Sequence, residues 1–234
     1  MKKVVITGAS KGIGKSVAMT LARKGDYDLA VCARNSDLLD DLRAKLQQAN
    51  PNLNLLSFNC DVAEKSQVHD FAEKLNSEGF VPDVLINNAG IFRQGHLMED
   101  ESTLDELLQT NLWSAYYCTG ALLPALRERP DSQIINMCSV AGIRAYENAG
   151  AYTISKHAFL GFSRSLREEL KEENIKVSTI LPGATYTPSW GDTTLPEERF
   201  IDPDDIGELV ASMISMSNRT VIEEVLMRPF QGDI

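Results

Sequence analysis

The sequence is short of cysteine, aromatics, positive charge and long apolar runs, and each shortage removes a class of function. Four cysteines (Cys32, Cys60, Cys118 and Cys138) are scattered through 234 residues without a CxxC or Cys/His ligand spacing. That pattern offers no metal site and no disulfide framework. Cys32, Cys60 and Cys138 sit in or at the end of apolar runs, the setting of small buried thiols in a reducing cytosol. Lys2 and Lys3 are followed only by Val4, Val5 and Ile6 before a glycine-rich turn. A signal-peptide core needs about 7–15 apolar residues and a membrane helix about 20. The chain therefore reads as soluble and cytoplasmic. With 23 Lys and Arg against 33 Asp and Glu the net charge is −10, which gives no general footprint for nucleic acid or an anionic membrane. Local basic spots can still bind phosphate.

What is present is ordinary globular composition, 43% apolar and 24% charged, arranged in strict alternation. Short apolar runs fall at Lys3–Thr7, Asp28–Ala33, Leu53–Asn59, Val84–Asn87, Gln133–Cys138, Lys176–Leu181 and Val221–Met227. Each is near-continuously apolar, as a strand buried on both faces should be. Amphipathic stretches near 12–24, 37–49, 64–78, 103–128, 150–172 and 203–216 alternate with them. This predicts an α/β fold: a Rossmann-type, doubly wound parallel sheet of seven strands with helices on both faces. Without linker or repeat, residues 1–234 read as one domain. The irregular stretch 183–202, with Gly183, Pro188, Gly191 and Pro196, leaves the end of the sixth strand and reads as a substrate loop.

The first strand runs into Thr7-Gly8-Ala9-Ser10-Lys11-Gly12-Ile13-Gly14 and then a helix. Such glycines let a backbone turn tightly and approach a pyrophosphate, while the helix N-terminus presents free N–H groups. The order strand, glycines, helix predicts a dinucleotide site. At the end of the second strand, Val31-Cys32-Ala33-Arg34-Asn35 puts alanine where an NAD site places a ribose-binding acid. Arg34 and Lys11 suit a 2′-phosphate that a carboxylate would repel, so the cofactor expected is NADP(H). The alternative is that both are merely solvated cations. Asp61-Val62-Ala63-Glu64 after the third strand reads first as a capping box, with Asp61 as cap and Glu64 reaching back; a contact to the adenine edge is compatible with that.

Tyr152-Thr153-Ile154-Ser155-Lys156 places a phenol and an ammonium on one helix face. Ser139 lies at the end of the fifth strand, where a ligand would sit. Reducing a carbonyl needs a hydride on carbon and a proton on oxygen. A phenol ordinarily titrates near pH 10. One cation about 5 Å away at an effective dielectric of about 20 favours the phenolate by roughly 3 kcal/mol, so a Tyr/Lys pair has the right magnitude for a proton donor.

These motifs, with Asn87-Asn88-Ala89-Gly90 after the fourth strand and Pro182-Gly183 after the sixth, together resemble the short-chain dehydrogenase/reductase family over essentially the whole chain. The resemblance implies Tyr152 as general acid, Lys156 as its electrostatic partner and ribose ligand, Ser139 orienting the carbonyl, and Asn111 holding a water in the proton relay. It implies cofactor contacts from Gly8, Ser10, Lys11, Gly12, Ile13, Gly14, Arg34, Asn35, Asp61, Val62, Asn88, Ala89, Gly90, Tyr152, Lys156, Pro182, Gly183, Thr185 and Thr187. Asn87 matches a position near the ribose, or else braces the sheet. The tail Arg219-Thr220-Val221-Ile222-Glu223-Glu224-Val225 with Arg228-Pro229, and the loop from Gly183 to Gly191, look more like bacterial sepiapterin-reductase-like members than 3-oxoacyl-ACP reductases. A pterin would want a carboxylate, for which Asp192 and Asp233 are the candidates. The activity implied is reduction of a ketone or aldehyde; alternatives are an acyl-ACP-type reductase or a non-catalytic NADPH-binding sensor or scaffold. The family also implies a homodimer or homotetramer through helices 103–128 and 150–172, where Trp113, Tyr116, Tyr117 and Leu123 make the first helix unusually apolar; intramolecular core is the other reading of those side chains.

Overall fold

The computed structural model describes residues 1–99 and 101–234. Seven strands, β1 (Lys2–Thr7), β2 (Tyr27–Ala33), β3 (Leu55–Asn59), β4 (Val84–Asn87), β5 (Ser132–Met137), β6 (Ile175–Pro182) and β7 (Glu224–Met227), form one sheet in the order β3-β2-β1-β4-β5-β6-β7. Every pairing is parallel. The expected Rossmann-type sheet is therefore observed. Its strand order reverses between β1 and β4, and the crevice beyond that reversal is where such sheets bind ligands.

The helices cover both faces. On one side α1 (Gly12–Lys24), α2 (Ser36–Ala49) and α7 (Pro203–Ser215) pack on Val4, Ile6, Leu29 and Val31. On the other, α3 (Lys65–Ser77), α5 (Ser114–Arg127) and α6 (Gly150–Leu170) pack on Val5, Ala30, Leu85 and Ile134. Alternate residues of β1 thus serve opposite cores, which is why the central runs are apolar throughout. The outer strands are not: β3 is only partly buried, and in β7 Glu224 and Leu226 are exposed. β7 also starts three residues later than the expected Val221. Its pairing begins at Thr179↔Glu224, where Glu224 is gripped by Arg164 of α6 through bonds of 2.6 and 3.0 Å.

Helix ends follow local chemistry. Asn35 caps α2 by accepting from the Leu38 N–H at 2.8 Å, and Asp202 caps α7 ahead of Pro203. The capping box expected at Asp61 and Glu64 is corrected. Asp61 Oδ1 accepts from the Ala63 N–H at 3.0 Å in a tight turn, Glu64 is the cap residue of α3 without a side-chain bond, and Gln67 reaches back to the Asp61 N–H at 2.8 Å. The stretch 103–128 is not one helix either. It comprises the end of α4 (Glu101–Leu108), a π turn (Gln109–Trp113) and α5, with the Ser114 N–H bonded to the Gln109 carbonyl. One inserted residue leaves the apolar pattern intact, so periodicity could not show it.

The tightest inter-helix approach is α1 against α7. A Cβ on Gly207 would stand 2.4 Å from Thr20 Oγ1 and 3.0 Å from its Cβ. Gly207→Ala is expected to cost about 1–3 kcal/mol by overpacking, read as a lower denaturant midpoint at unchanged slope.

Candidate active site

Two tethers shape the crevice at the strand reversal. The Thr7 hydroxyl accepts from the Asn88 and Ala89 N–H groups at 3.0 and 3.1 Å, while Asn88 Nδ2 donates to the Thr7 and Gly8 carbonyls at 2.9 and 3.1 Å. The glycine loop is thereby fastened to the end of β4. Each glycine has a separate reason. Gly8 has φ +63°, and a Cβ there would lie 2.8 Å from Ala89 Cα; one on Gly14 would meet Asn88 Nδ2 at 2.4 Å. Gly12, at φ +56°, faces Thr187, whose Cγ2 lies 3.3 Å from where its Cβ would be. The loop and the segment after β6 therefore approach closely at this point, and Ile13 and Thr187 line the same cavity. Lys11 precedes α1 in extended conformation, and no side chain caps that helix. The first-turn N–H groups and the bare loop backbone fit a pyrophosphate.

The Ala9 N–H bonds to the Cys32 carbonyl at 3.2 Å, which sets the loop beside the end of β2. There Ala33 is buried and Arg34 is exposed, its guanidinium 3.8 Å from Asp61 Oδ2. Asn35 is committed to capping α2, and Val62 is buried in the apolar core. Asn87 is buried with Nδ2 on Thr119 Oγ1 at 3.1 Å and Asn136 Oδ1 at 2.9 Å. Those contacts are those of a sheet brace.

Beyond the reversal a second group assembles. β5 ends at Met137, and Ser139 starts a short 3-10 turn (Val140–Gly142), its hydroxyl accepting from the Ala141 N–H at 3.1 Å. The hydroxyl proton stays available to a ligand oxygen. α6 comes down on this turn because Gly142 has no side chain; a Cβ there would lie 2.9 Å from Cys138 Sγ and 3.1 Å from the Lys156 carbonyl. Burial raises the Cys138 thiol pKa, and the thiol donates to that carbonyl at 3.4 Å.

Tyr152 and Lys156 share the first turns of α6, Tyr152 half-buried and Lys156 buried. The Lys156 ammonium donates to the Met137 carbonyl at 3.3 Å and lies 5.8 Å from the Tyr152 ring centroid. Lys156 is only 5% exposed, yet no carboxylate lies within 4.0 Å of its ammonium among the described residues. The Tyr152 ring meets Phe92 edge-on at 5.0 Å, and its hydroxyl has no hydrogen-bond partner among the described residues.

Asn111 lies in the π turn, fully buried. Its Oδ1 accepts from the Ile91 N–H at 2.8 Å, and Nδ2 donates to the Ile91 carbonyl and to Ser155 Oγ, both at 3.0 Å. Both amide hydrogens are thus used, leaving one lone pair on Oδ1. Ser155 in turn donates to the Tyr152 carbonyl at 2.8 Å. This buried link between Asn111 and α6 had no sequence signal of its own.

Ser139, Tyr152, Ile13, Pro182, Gly183, Thr185 and Thr187 line a common cavity of about 470 Å³. Trp190, within the expected loop 183–202, lines it too, whereas sequence reasoning missed Phe92, Gln94, Tyr146, Glu147 and Ile234. Trp190 is seated by its indole N–H on the Thr185 carbonyl at 2.9 Å and by Phe200, with ring centroids 4.9 Å apart. Asp233 also lines the cavity, whereas Asp192 is exposed outside it. Asp233 Oδ2 accepts from Arg144, Tyr146 and Arg228 at 2.9, 3.1 and 2.8 Å, and Arg199 holds the tail through the Gly232 and Asp233 carbonyls. Asp233 Oδ1 is buried without a partner among the described residues.

Among the described residues no helix is long and apolar enough to cross a membrane, and no cluster suits a metal ion. The chain is 28% identical over 237 residues to a sepiapterin reductase of Chlorobaculum tepidum, covering 99% of this chain and 97% of that protein. It is 33% identical over 187 residues to a human 3-oxoacyl-[acyl-carrier-protein] reductase, covering 80% and 76%. An alcohol dehydrogenase from the archaeon Thermococcus sibiricus, solved with 5-hydroxy-NADP, superposes with a TM-score of 0.91 at 28% identity over 98% of this chain and 97% of that one. The short chain dehydrogenase family model matches residues 2–198. With that match across the glycine loop, Ser139, Tyr152 and Lys156, the chain belongs to the short chain dehydrogenase family and is one of its oxidoreductases.

Proposed function

We propose that the protein is an NADP(H)-dependent reductase of a ketone or aldehyde, acting as one domain with 183–202 as its substrate loop. The observation that carries this reading is the buried Lys156 ammonium, with no carboxylate partner among the described residues, set beside Tyr152, which lines one cavity with Ser139. When bound, NADPH supplies the hydride. Ser139 hydrogen-bonds the substrate oxygen through its free hydroxyl, keeping its proton, and fixes the carbonyl's orientation. Tyr152 delivers a proton to that oxygen, and Lys156 stabilises the negative charge left on the phenol. Asn111 acts chiefly by holding Ile91 and Ser155, and hence α6, in register; its spare Oδ1 lone pair is what it can offer to a water. Gly12, Ile13 and the first turn of α1 take the pyrophosphate, with Ser10 beside them. Thr185, Thr187, Pro182 and Gly183 flank the nicotinamide.

Cofactor choice follows from Arg34 and Lys11 beside a β2 end without an acid. NADP-bound relatives of the same fold support the same reading. Within this reading the substrate resembles a pterin side-chain ketone more than an acyl thioester. The charged groups lining the cavity are Glu147 and Asp233, with no Lys or Arg among the described lining residues. Arg144 and Arg228 offset the charge of Asp233, so the wall suits a neutral, N–H-bearing ring against Phe92, Tyr146 and Trp190. The free Asp233 Oδ1 is the acceptor for that N–H edge. The same assignment leaves a sensor or scaffold role without support, because Tyr152 and Lys156 are both present and placed.

A homodimer through α5 and α6 is proposed on the aromatic cluster at their outer faces. Trp113 and Tyr116 are 41% and 54% exposed; Trp113 stacks on Tyr117 and Tyr116 meets Phe162 at a tilt, so only part of this cluster is intramolecular core. The four cysteines are free and buried, as suits a reducing cytoplasm.

Three outcomes test the reading. Tyr152→Phe should keep NADPH affinity and lose turnover of a pterin or diketone substrate by about 10²–10⁴-fold, the usual worth of a general acid; turnover near wild type removes the assigned role. Arg34→Glu should reverse the NADPH over NADH preference in kcat/KM, and equal use of both cofactors by the wild type would refute the cofactor assignment. Light scattering after size exclusion should give at least twice the chain mass; a monomer excludes the helix-pair interface.

A further inference from the structure

The opposite edge of the sheet carries a second cavity, of about 270 Å³, at the amino-terminal ends of β5, β6 and β7. Strands of six to eight residues separate it from the end where Ser139 and Pro182 lie, roughly 20 Å at about 3.3 Å per residue. Four cations line it: Arg167 from α6, Lys171 and Lys176 from the approach to β6 and its start, and Arg219 from the approach to β7. In a chain of net charge −10 such a concentration needs an explanation.

The local carboxylates do not neutralise it. Asp131 is spent on Lys2 at 2.6 Å and Lys176 at 3.5 Å, and Asn218, with its amide nitrogen turned inward, also donates to it. Burial opposes the charge of Asp131, but those two ammonium groups still hold its pKa below the ordinary value. Glu223 reaches one terminal nitrogen of Arg167 at 3.3 Å, and Glu168 pairs with Lys171. Arg219 has no carboxylate within 4.0 Å among the described residues. Five cations, Lys2 included, thus meet Asp131, Glu223 and Glu168, with Glu172 also acting on Lys171. The Nε–H of Arg167 is buried without an acceptor among the described residues, an orphan donor that is destabilising unless a ligand accepts from it.

We propose that this cavity binds a phosphate-class oxyanion, independently of the reductase pocket. Four cations against the single carboxylate of Asp131 in the lining favour a phosphate anion. Arg167 Nε–H and the Arg219 guanidinium supply planar donors of the kind that grip tetrahedral oxyanions, and Lys171 and Lys176 add point charge. The volume leaves room for a small organic group on a phosphate monoester as well as for inorganic phosphate. The walls carry the same donors for both.

Calorimetric titration at fixed ionic strength tests this with inorganic phosphate and, separately, glycerol 3-phosphate. Three full-length proteins are compared: wild type, Lys171→Ala/Arg219→Ala and Arg34→Ala. The first two changed residues are exposed and outside the reductase site, so turnover and the circular dichroism spectrum should be unaffected. The expected result is saturable binding to wild type and Arg34→Ala, weakened about tenfold or more in the double variant by loss of charge-assisted bonds. Tighter binding of glycerol 3-phosphate than of phosphate identifies a phosphorylated metabolite as the occupant, and the reverse identifies the free ion. The proposal is overturned by an absence of saturable heat with either probe, by an isotherm the double variant leaves unchanged, or by binding that Arg34→Ala abolishes and the double variant retains.

Discussion

Burying an ammonium group without a carboxylate partner among the described residues is the constraint around which the Tyr152 end of α6 is organised. Isolated charges removed from water cost several kcal/mol even after relaxation, and among the described residues Lys156 meets only the Met137 carbonyl at 3.3 Å and the faces of Tyr152 and Phe159. Something must hold it there. Gly142 lets α6 close onto the end of β5, Gly90 leaves a gap (a Cβ there would lie 3.6 Å from the ammonium), and Asn111 ties Ile91 to Ser155 from behind. The π turn carrying Asn111 is part of the same arrangement. An ordinary helical turn would rotate that side chain out of reach of both Ile91 and α6. A carboxylate beside Lys156 would lower the cost of burial and also cancel the positive potential that a departing phenolic proton requires.

The cofactor end rests on a different device. The reversal of strand order opens a crevice that nothing in the sheet closes, and the Thr7–Asn88 tethers give it a fixed width. Two of the three glycines in the loop serve packing against β4, and only Gly12 looks across to Thr187. The motif therefore encodes a rigid wall first and a phosphate cradle as a consequence. Further along β4, β5 and α6, Asn87, Asn136, Ser163 and Thr179 form a buried chain of hydrogen bonds of 2.6–2.9 Å. It links the cofactor side of the sheet to the helix bearing Tyr152, and each member would be expensive to leave unpaired.

What was legible in the sequence was what depends on local period and punctuation. Runs such as Val84–Asn87 and Ile134–Met137 are apolar because both sheet faces are covered, and the strand–helix alternation could mean little else. Tyr152 and Lys156 could be paired on paper because i and i+4 on a helix are neighbours whatever the fold. The illegible parts depend on long-range contacts. The π turn changes register by one residue without altering composition. The late start of β7 follows from Arg164 and Arg167 capturing Glu224 and Glu223, and the seat of Asp233 from Arg144, Tyr146 and Arg228, segments about 90 residues apart in one case. Asp61 and Glu64 matched a capping pattern by spacing alone, yet the chain turned at Ala63 and gave the reaching-back role to Gln67.

Charge is also divided in a way that the net figure of −10 conceals. The substrate cavity is walled by Glu147 and Asp233, while the rim that would take phosphate carries Lys11 and Arg34 on the far side of the glycine loop. At a Debye length of about 8 Å under physiological salt, these zones act almost independently. The basic rim can attract a polyanionic dinucleotide although the protein as a whole repels it, whereas in the cavity wall Arg144 and Arg228 offset Asp233. Under the proposed function Asp233 selects by direction, because three donors fix one of its oxygens and leave the other without a partner among the described residues. A flexible, fully solvated carboxylate would favour any cation that approached; one clamped by Arg144, Arg228 and Tyr146 is already neutralised and can reward only a donor placed in line with its free oxygen.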